Sequence, residues 1–291
     1  MAVLLLTGAT GLVGSAVLRR LTARGEPVRC LIRDPRRLGA ERVRVQLAIG
    51  DLADPASWRH ALRGVKTVIH LAATERDQPR ATIEEIDGLA ALRLLRAAER
   101  AGAERFLWLT PLGATPHHRS RVYRAKALAE RAVAASGLRT TTLAGSLVYA
   151  PGDRRLQRLE RLALLPVVPL MGSGTARTQP IWADDVADCV LRALDAGSGG
   201  RYELAGPDVL SHADVARLAL RAAHRRRRLL PVPLAVARPL LLAHEALAGP
   251  TAFATWDEAE LLTAEMLTPA GTADAERLGV TPRRMADVLG A

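Results

Sequence analysis

The chain has 291 residues, of which 49% are hydrophobic and 24% are charged, and these values indicate a globular protein and disfavour intrinsic disorder. Its formal net charge is +11, but aromatic residues make up only 3% of it, which disfavours a nucleic-acid surface built on base stacking. Because Cys30 and Cys189 cannot form a disulfide framework and no apolar run reaches the about 20 residues of a spanning helix, we expect a reduced, cytoplasmic protein.

Predicted strands and helices alternate along the first half of the sequence. The hydrophobic patterns predict strands at 3–6, 28–32, 43–49, 67–72, 105–110 and 139–144, and helices at 15–24, 58–62, 83–101 and 124–136. Strands that are separated by helices favour βαβ crossovers and a parallel sheet.

The pattern changes after residue 150. Residues 151–180 show no clear crossover, and they precede a predicted helix, strand and helix at 184–194, 201–204 and 211–223. Ser211 and Asp214 form a capping-box-like start to the last of these helices. We predict that residues 229–291 are mostly helical, with breaks at prolines.

The segment between the first strand and the first helix carries glycines at positions 8, 11 and 14. This spacing allows a tight turn, close approach of the backbone to a pyrophosphate, and close packing of the helix on the strand. The free N–H groups at the helix N-terminus attract phosphate oxygens. The segment therefore predicts a dinucleotide site with the contact residues Thr7, Gly8, Thr10, Gly11, Leu12, Val13 and Gly14.

Further motifs follow this Gly-x-x-Gly-x-x-Gly spacing in order along the chain. They are Gly50-Asp51-Leu52, His70-Leu71-Ala72-Ala73, Pro151-Gly152-Asp153, Gln179-Pro180-Ile181 and Asp184-Asp185-Val186-Ala187. With them the sequence, to about residue 225, resembles the extended and atypical short-chain dehydrogenases/reductases, which include NmrA-like proteins, the nucleotide-binding accessory subunit of complex I and NAD-dependent epimerases/dehydratases. The resemblance implies that Asp51 and Leu52 contact the adenine, and that Leu71, Ala72 and Ala73 also line the cofactor.

We therefore predict an α/β fold: a Rossmann-type doubly wound parallel sheet with a small C-terminal substrate lobe. Residues 1–150 form the NAD(P)-binding domain, to which residues 181–205 return, and residues 151–180 and 206–291 form the lobe. The cofactor is expected across the carboxyl ends of the strands, with the substrate in the cleft below the lobe.

The residues after the second strand bear on the choice between NAD and NADP. A carboxylate there would bond to the ribose 2′-hydroxyl, whereas an arginine would bind a 2′-phosphate. Ile32 occupies the usual acidic position and Arg33 follows it, and the guanidinium fork suits a phosphate. We expect NADP(H) rather than NAD(H), although Asp34 leaves NAD open.

The resemblance also implies a Ser–Tyr–Lys set in those members that reduce carbonyls or oxidise alcohols. Lys126, one of two lysines in the chain, stands at the lysine position and would hold the nicotinamide ribose. Val122 occupies the tyrosine position, and Tyr123 is rotated from it by about 100° around a helix. We expect Lys126 to contact the cofactor, and we treat Tyr123 as a candidate proton donor.

The hydroxyl position is altered as well. Leu112 falls near the position of the serine, and Thr110 precedes it at the end of the fifth strand. Asp87 replaces the usual asparagine on the long helix. The catalytic candidates are therefore Thr110, Tyr123 and Lys126.

Three hypotheses about function follow from these residues. The first is an NADP(H)-dependent oxidoreductase that acts on a small, apolar carbonyl, enone or quinone with a degenerate Ser–Tyr–Lys set. The second is a non-catalytic NADP(H)-binding redox sensor or assembly protein, which the missing serine and the displaced tyrosine favour. The third is a non-redox isomerase or cyclase on the same scaffold.

The remaining features indicate no further class of ligand. His117 and His118 lack the cysteine or carboxylate neighbours of a zinc site, so no metal is expected. We interpret the arginines at 225–228 as a solvated helix end rather than a nucleic-acid surface. The apolar stretch at 229–248 is interpreted as a pocket wall or lobe interface, while the arginines before it leave an anionic membrane surface open.

Overall fold

A computed structural model describes residues 3–197 and 199–291. Its strands are β1 Val3–Thr7, β2 Val28–Ile32, β3 Gln46–Ile49, β4 Val65–His70, β5 Arg105–Pro111, β6 Arg139–Gly145, β7 Val148–Tyr149, β8 Val167–Met171, β9 Arg177–Thr178, β10 Ile181–Trp182, β11 Gly200–Leu204, β12 Leu210–Ser211 and β13 Arg228–Val232. Its α-helices are α1 Leu12–Ala23, α2 Pro55–Trp58, α3 Ala90–Arg100, α4 Arg121–Ala134, α5 Arg154–Leu162, α6 Ala183–Ala196, α7 His212–Ala222, α8 Leu234–Ala248, α9 Trp256–Leu261, α10 Ala273–Arg277 and α11 Met285–Leu289. Short 3-10 helices cover Pro35–Arg44, Arg59–Leu62 and Gly249–Thr251, and a π-helix covers Glu84–Leu89.

One seven-stranded sheet has the order β3-β2-β1-β4-β5-β6-β11, and every neighbouring pair in it is parallel. The predicted Rossmann-type parallel sheet is therefore confirmed. The strand order reverses between β1 and β4, because the chain first builds outward to β3 and then returns to the other side of β1. Such a reversal opens a crevice at the carboxyl ends of the strands, where α/β proteins bind their ligands.

Helices cover both faces of this sheet. On one face Leu6 belongs to an apolar cluster with Val17 of α1 and Val186 of α6. On the other face its neighbour Leu5 belongs to a cluster with Leu94 of α3. Because successive side chains of a strand point to opposite faces, β1 is buried on both sides, which explains its continuous apolar sequence. This burial fixes the end of β1, from which the glycine loop starts.

Two predicted elements near the crevice begin differently. The strand predicted at 43–49 starts only at Gln46, since two short 3-10 helices that meet at a kink at Gly39 cover Pro35–Arg44. The Asp34 carboxylate caps the start of the first one. The helix predicted at 83–101 opens with the π-helix Glu84–Leu89 before α3. Hydrophobic periodicity does not distinguish a π-helical turn from the α-helix that continues it.

The prediction for the C-terminal residues is partly wrong. Residues 229–232, predicted to be helical, form β13, which pairs in parallel with β8. Pro231 cannot donate a hydrogen bond, and prolines are tolerated in such edge strands. The outer face of α8 is exposed, although the sequence was interpreted there as a buried wall or interface. Ser211 and Asp214 form the predicted capping box of α7.

A buried cluster of charges holds α9 against the loop that follows β4. The Arg76 guanidinium lies 2.7 Å from the Glu258 carboxylate, and that of Arg158 lies 2.9 Å from it. Burial alone opposes ionisation of Glu258, but the hydrogen bonds from Arg158 and Arg76 hold its pKa below the usual value. Since the β4 loop lies at the carboxyl end of the sheet, this cluster fixes C-terminal residues at the crevice.

Candidate functional site

The loop between β1 and α1 is shaped by glycines at positions that exclude a side chain. Gly8 has a φ of +75°, and a Cβ atom there would lie 2.5 Å from the Ala72 nitrogen. A Cβ atom on Gly14 would lie 2.0 Å from the Gly8 oxygen. Both distances are too short for any other residue, so the loop, α1 and the end of β4 are in direct backbone contact.

The N-terminus of α1 presents N–H groups without intrahelical acceptors. Its N-cap residue, Gly11, makes no side-chain hydrogen bond to the first turn, so the N–H groups of Leu12 and Val13 stay available to a ligand. The helix dipole adds partial positive charge at the same point. The backbone approach and the free donors fit the pyrophosphate of a dinucleotide.

A side-chain hydrogen bond joins the carboxyl ends of β1 and β4. Thr7 Oγ1 lies 2.6 Å from His70 Nδ1, and both side chains are fully buried. Burial lowers the pKa of His70 to about 3, and the nearby charge of Lys126 acts in the same direction. The imidazole is therefore neutral at pH 7. The Thr7 hydroxyl fixes the two strand ends, and the predicted contact of Thr7 with the cofactor stays a prediction.

After β2 the arginines are exposed, whereas the Asp34 carboxylate is bonded to the neighbouring Arg36. The Asp34 carboxylate accepts hydrogen bonds from the Arg36 backbone at 3.1 Å and from its guanidinium at 2.9 Å, which hold the pKa of Asp34 below its usual value. Arg33 and Arg37 are both exposed. Arg37 and Thr10 line a cavity of about 250 Å³ beside the glycine loop. This side of the crevice therefore carries positive charge.

The predicted adenine segment is a fixed turn after β3. The Asp51 carboxylate accepts a hydrogen bond from Ala53 N–H at 3.1 Å, and Asp51 N–H donates to Ser57 Oγ at 2.9 Å. The Leu52 carbonyl accepts a hydrogen bond from the Trp58 indole at 3.4 Å. Asp51 and Leu52 are half-buried, and their contact with adenine stays a prediction.

The remaining predicted cofactor residues lie at the end of β4. Leu71 is buried, Ala72 is half-buried and Ala73 is exposed. The Leu71 N–H donates to the Thr7 carbonyl at 3.2 Å, and this bond continues the pairing of the two strands beyond β4. The three residues thus lead from the buried sheet to the surface directly beside the glycine loop.

Lys126 is buried and paired with a carboxylate. Its Nζ atom lies 3.0 Å from Asp87 Oδ1, and the two side chains are 3% and 0% exposed. The ammonium also lies 4.5 Å from the centre of the Trp108 ring. Burial raises the pKa of Asp87, and the Lys126 charge opposes that rise. The pair forms where the π-helix packs on α4, with Gly88, next to Asp87, beside Ala125.

Tyr123 lies on the same helix as Lys126, three residues before it. Because α4 begins at Arg121 rather than at the predicted residue 124, Tyr123 lies in its first turn. Its ring stacks on His118 with 4.3 Å between ring centres and packs among apolar residues that include Leu261 of α9. Its hydroxyl is buried without a hydrogen-bond partner in the described residues. Burial raises the pKa of this hydroxyl, and the charged groups acting on it are Arg155 and Glu75.

The structure therefore does not join the three catalytic candidates into a relay. Thr110 lies buried on β5, and its Oγ1 atom has no hydrogen-bond partner in the described residues. The Lys126 ammonium pairs with Asp87 instead of lowering the pKa of Tyr123. Leu112 and Val122, at the family's serine and tyrosine positions, are buried apolar residues. The catalytic roles of Thr110 and Tyr123 stay predictions.

Two features of the site were not predicted. Arg37 lines the cavity beside the glycine loop, whereas Arg33 does not; the signal in the sequence is the run of basic residues after β2. Asp87 provides the counter-charge of Lys126. The signal for it in the sequence is the acidic residue at position 87, where the family that the sequence resembles usually carries an asparagine.

Other groups with reactive side chains give no second site. In the described ranges no three His, Cys, Asp or Glu side chains are placed to hold a metal ion. Cys30 and Cys189 are free and buried, and burial raises the pKa of each to about 12, which keeps both as thiols. Among the helices that the structure describes, none is long and apolar enough to cross a membrane.

The sequence pattern of the NAD dependent epimerase/dehydratase family matches residues 4–205. This range contains the glycine loop, the crevice and Lys126, and the chain belongs to this family. Pyridine-nucleotide binding follows from the family and from the glycine cradle together.

Related proteins include a reductase and a respiratory subunit. The chain is 30% identical over 244 residues to an NAD(P)H azoreductase from Xenophilus azovorans, which covers 81% of this chain and 79% of that protein. It is 29% identical over 248 residues to the mitochondrial NADH dehydrogenase (ubiquinone) 1 alpha subcomplex subunit 9 of Arabidopsis thaliana, which covers 80% of this chain. The matched region spans only 61% of that subunit.

A solved structure with the same fold carries a bound cofactor. The NADPH-dependent quinone oxidoreductase QOR2 of Escherichia coli, in complex with NADPH, has a TM-score of 0.73 and 18% sequence identity. The match covers 99% of this chain and 98% of that chain. At this identity the similarity establishes the shared fold.

Proposed function

We propose that the protein is an NADP(H)-dependent reductase of conjugated acceptors, namely quinones or enones. The observation that carries the proposal is an intact glycine cradle beside a lysine that is paired with Asp87 and not with a tyrosine. The glycine cradle supports binding of the cofactor, while the proton relay of the alcohol-forming members of the superfamily is not assembled in the described residues.

Named groups of the chain would hold the cofactor. The free N–H groups of Leu12 and Val13 would bind the pyrophosphate, and Arg33 and Arg37 would bind the 2′-phosphate. The Lys126 ammonium lies 3.0 Å from the Asp87 carboxylate and is otherwise without a hydrogen-bond partner in the described residues, so its N–H donors can bond to the nicotinamide ribose. When bound, the cofactor supplies a hydride. A dihydronicotinamide near these groups would lie at the carboxyl end of the sheet.

The class of acceptor follows from the missing acid. Reduction of a simple aldehyde or ketone produces an alkoxide, whose conjugate acid is about as weak as water, with a pKa of about 16, so a donor must be in contact with it. Reduction of a quinone produces a phenolate, whose conjugate acid has a pKa of about 10, and solvent can protonate it. A buried Tyr123 hydroxyl with a raised pKa is a poor donor in either case. A quinone, whose reduction product can be protonated by solvent without a donor from the protein, is therefore favoured as the acceptor.

The names of similar proteins support a reductase of this type. The NAD(P)H azoreductase is named for its reductant, and the oxidoreductase of the same fold is named for quinone as its acceptor. The respiratory subunit favours the second hypothesis, in which the cofactor is bound without turnover. Turnover distinguishes a reductase from a protein that binds the cofactor without reaction.

The test compares two acceptors and one conservative variant. NADPH oxidation is followed with menadione, a naphthoquinone, and with benzaldehyde, for the wild type and for Tyr123→Phe. We expect turnover with menadione and little with benzaldehyde, and we expect Tyr123→Phe to retain the menadione rate. A general acid contributes about 10²–10⁴-fold. A loss of that size in Tyr123→Phe, together with a preference for benzaldehyde, would contradict the proposal. Saturable NADPH binding without turnover of either acceptor would favour the non-catalytic alternative.

A further inference from the structure

One face of helix α8 is apolar and uncovered. Val236, Leu240, Ala243 and Leu247 are spaced by three or four residues and so share one face. The three large side chains of this face are 52%, 65% and 90% exposed. On the opposite side, Arg238 lies over the Trp256 ring at 5.5 Å, and Glu245 accepts a hydrogen bond from the Trp256 N–H. The helix therefore turns its charged residues toward α9 and its large apolar residues outward. Because an amphipathic helix normally buries its apolar face, the outer face indicates an apolar environment that the chain itself does not supply.

Positive charge is concentrated around this helix. Residues 221–250 contain six arginines and one glutamate, which gives a net charge of +5 within a chain of net +11. Four of the arginines are consecutive, at 225–228, and the last of them begins β13, the strand that leads into α8. In the part of the chain that the structure describes, no carboxylate lies within 4.0 Å of any of the six guanidinium groups.

The arginine run also adjoins a second group of exposed apolar side chains. Arg227 donates a hydrogen bond to the Ala163 carbonyl at 2.9 Å, which holds the run against the turn that carries Leu164 and Leu165. These two leucines are 74% and 49% exposed, and Leu230, on the strand that follows the run, is 57% exposed. Basic and apolar groups are therefore interleaved on adjoining elements.

We propose that α8, residues 225–228 and the turn at 163–165 form a docking surface for an anionic lipid bilayer, with α8 lying in the interface. Interfacial binding combines burial of an apolar helix face with attraction of basic residues to anionic headgroups. Helix α8 has 15 residues, or about 22 Å, which suits a position along the membrane surface. A second copy of the chain is a poorer occupant, because a symmetric contact would place two arginine runs against one another.

The test measures binding of the whole protein to vesicles by co-sedimentation. We expect binding to vesicles of phosphatidylglycerol and phosphatidylcholine, no binding to phosphatidylcholine alone, and release at about 1 M NaCl, where the Debye length is about 3 Å. Arg225→Gln with Arg226→Gln should lower the partition coefficient about 30-fold, since each basic residue near the surface contributes about fivefold.

Exposed residues provide variants that leave the fold intact. Leu240→Gln with Leu247→Gln should lower binding by about 100-fold or more, whereas Leu128→Gln, at an exposed leucine of α4, should not change it. The charge control is Arg93→Gln with Arg100→Gln, at exposed positions of α3. Equal binding by the Leu240/Leu247 variant and the wild type would overturn the proposal. So would a wild-type dimer in solution that the same two substitutions convert to a monomer.

Discussion

The Lys126–Asp87 ion pair makes a quantitative prediction about stability. Its charged atoms lie 3.0 Å apart, and neither side chain is more than 3% exposed. Asp87→Asn keeps the shape of the residue and an acceptor for the Thr74 N–H, which bonds to Asp87 at 3.2 Å, but it leaves the ammonium buried without a counter-charge. Removal of one partner of a buried pair costs about 3–5 kcal/mol. We expect a loss of this size in the free energy of unfolding at pH 7.

The reciprocal change and the double change complete a mutant cycle. Lys126→Met removes the ammonium and leaves a carboxyl whose pKa is already raised by burial, so its cost should shrink as the pH falls and that carboxyl takes up a proton. The double variant Asp87→Asn/Lys126→Met buries no charge, and we expect it to lie within about 1–2 kcal/mol of the wild type. Urea unfolding followed by circular dichroism gives the four free energies. If the double variant loses the sum of the two single losses in free energy of unfolding, to within about 0.5 kcal/mol, Asp87 and Lys126 do not interact, and the proposed stabilisation by the ion pair is refuted.

Three further predictions concern the crevice. Gly14→Ala places a methyl group 2.0 Å from a backbone oxygen, so NADPH affinity by calorimetry should fall by about 100-fold or more, whereas Gly137→Ala, which meets no atom within 4 Å, should leave it unchanged. Arg33→Gln with Arg37→Gln should weaken NADPH about tenfold or more and spare NADH, since a hydrogen bond to a charged group contributes about 1.5–3 kcal/mol; equal losses for both cofactors would disprove the 2′-phosphate role. His70 has its pKa lowered by burial from 6.5 to about 3, so its contribution to stability is present above pH 6.5 and is lost at up to about 1.4 kcal/mol per unit as the pH falls toward 3. Urea unfolding between pH 7 and 5 should show this slope in the wild type. If the free energy of unfolding of His70→Gln falls with pH as steeply as that of the wild type, the assignment of the slope to His70 is contradicted.

Much of the fold could be predicted because its signals are local. The apolar runs of the parallel strands and the glycines at 8, 11 and 14 each lie within a few residues of the structure that they specify. Prediction was poorer where short-range chemistry competes with periodicity. Asp34 and Pro35 start a 3-10 segment that runs into the strand predicted at 43–49, and residues 229–232 form a strand only because β8 is available as a partner.

The contacts of the site were harder to predict because they join distant parts of the chain. Asp87 meets Lys126 through the packing of a π-helix on α4, and Arg76 meets Glu258 across 182 residues. The surroundings of Tyr123 depend on where α4 begins and on Leu261, which belongs to another element. Residue spacing along one helix cannot predict such neighbours, although an acidic residue at position 87 was a visible signal.

The most direct test is a calorimetric titration of the wild-type protein with NADPH and, separately, with NADH. The glycine cradle and the exposed Arg33 and Arg37 lead us to expect one saturable site that binds NADPH about tenfold or more tighter than NADH. Equal affinities would contradict the 2′-phosphate site. Absence of binding by either cofactor would contradict the proposed reductase altogether.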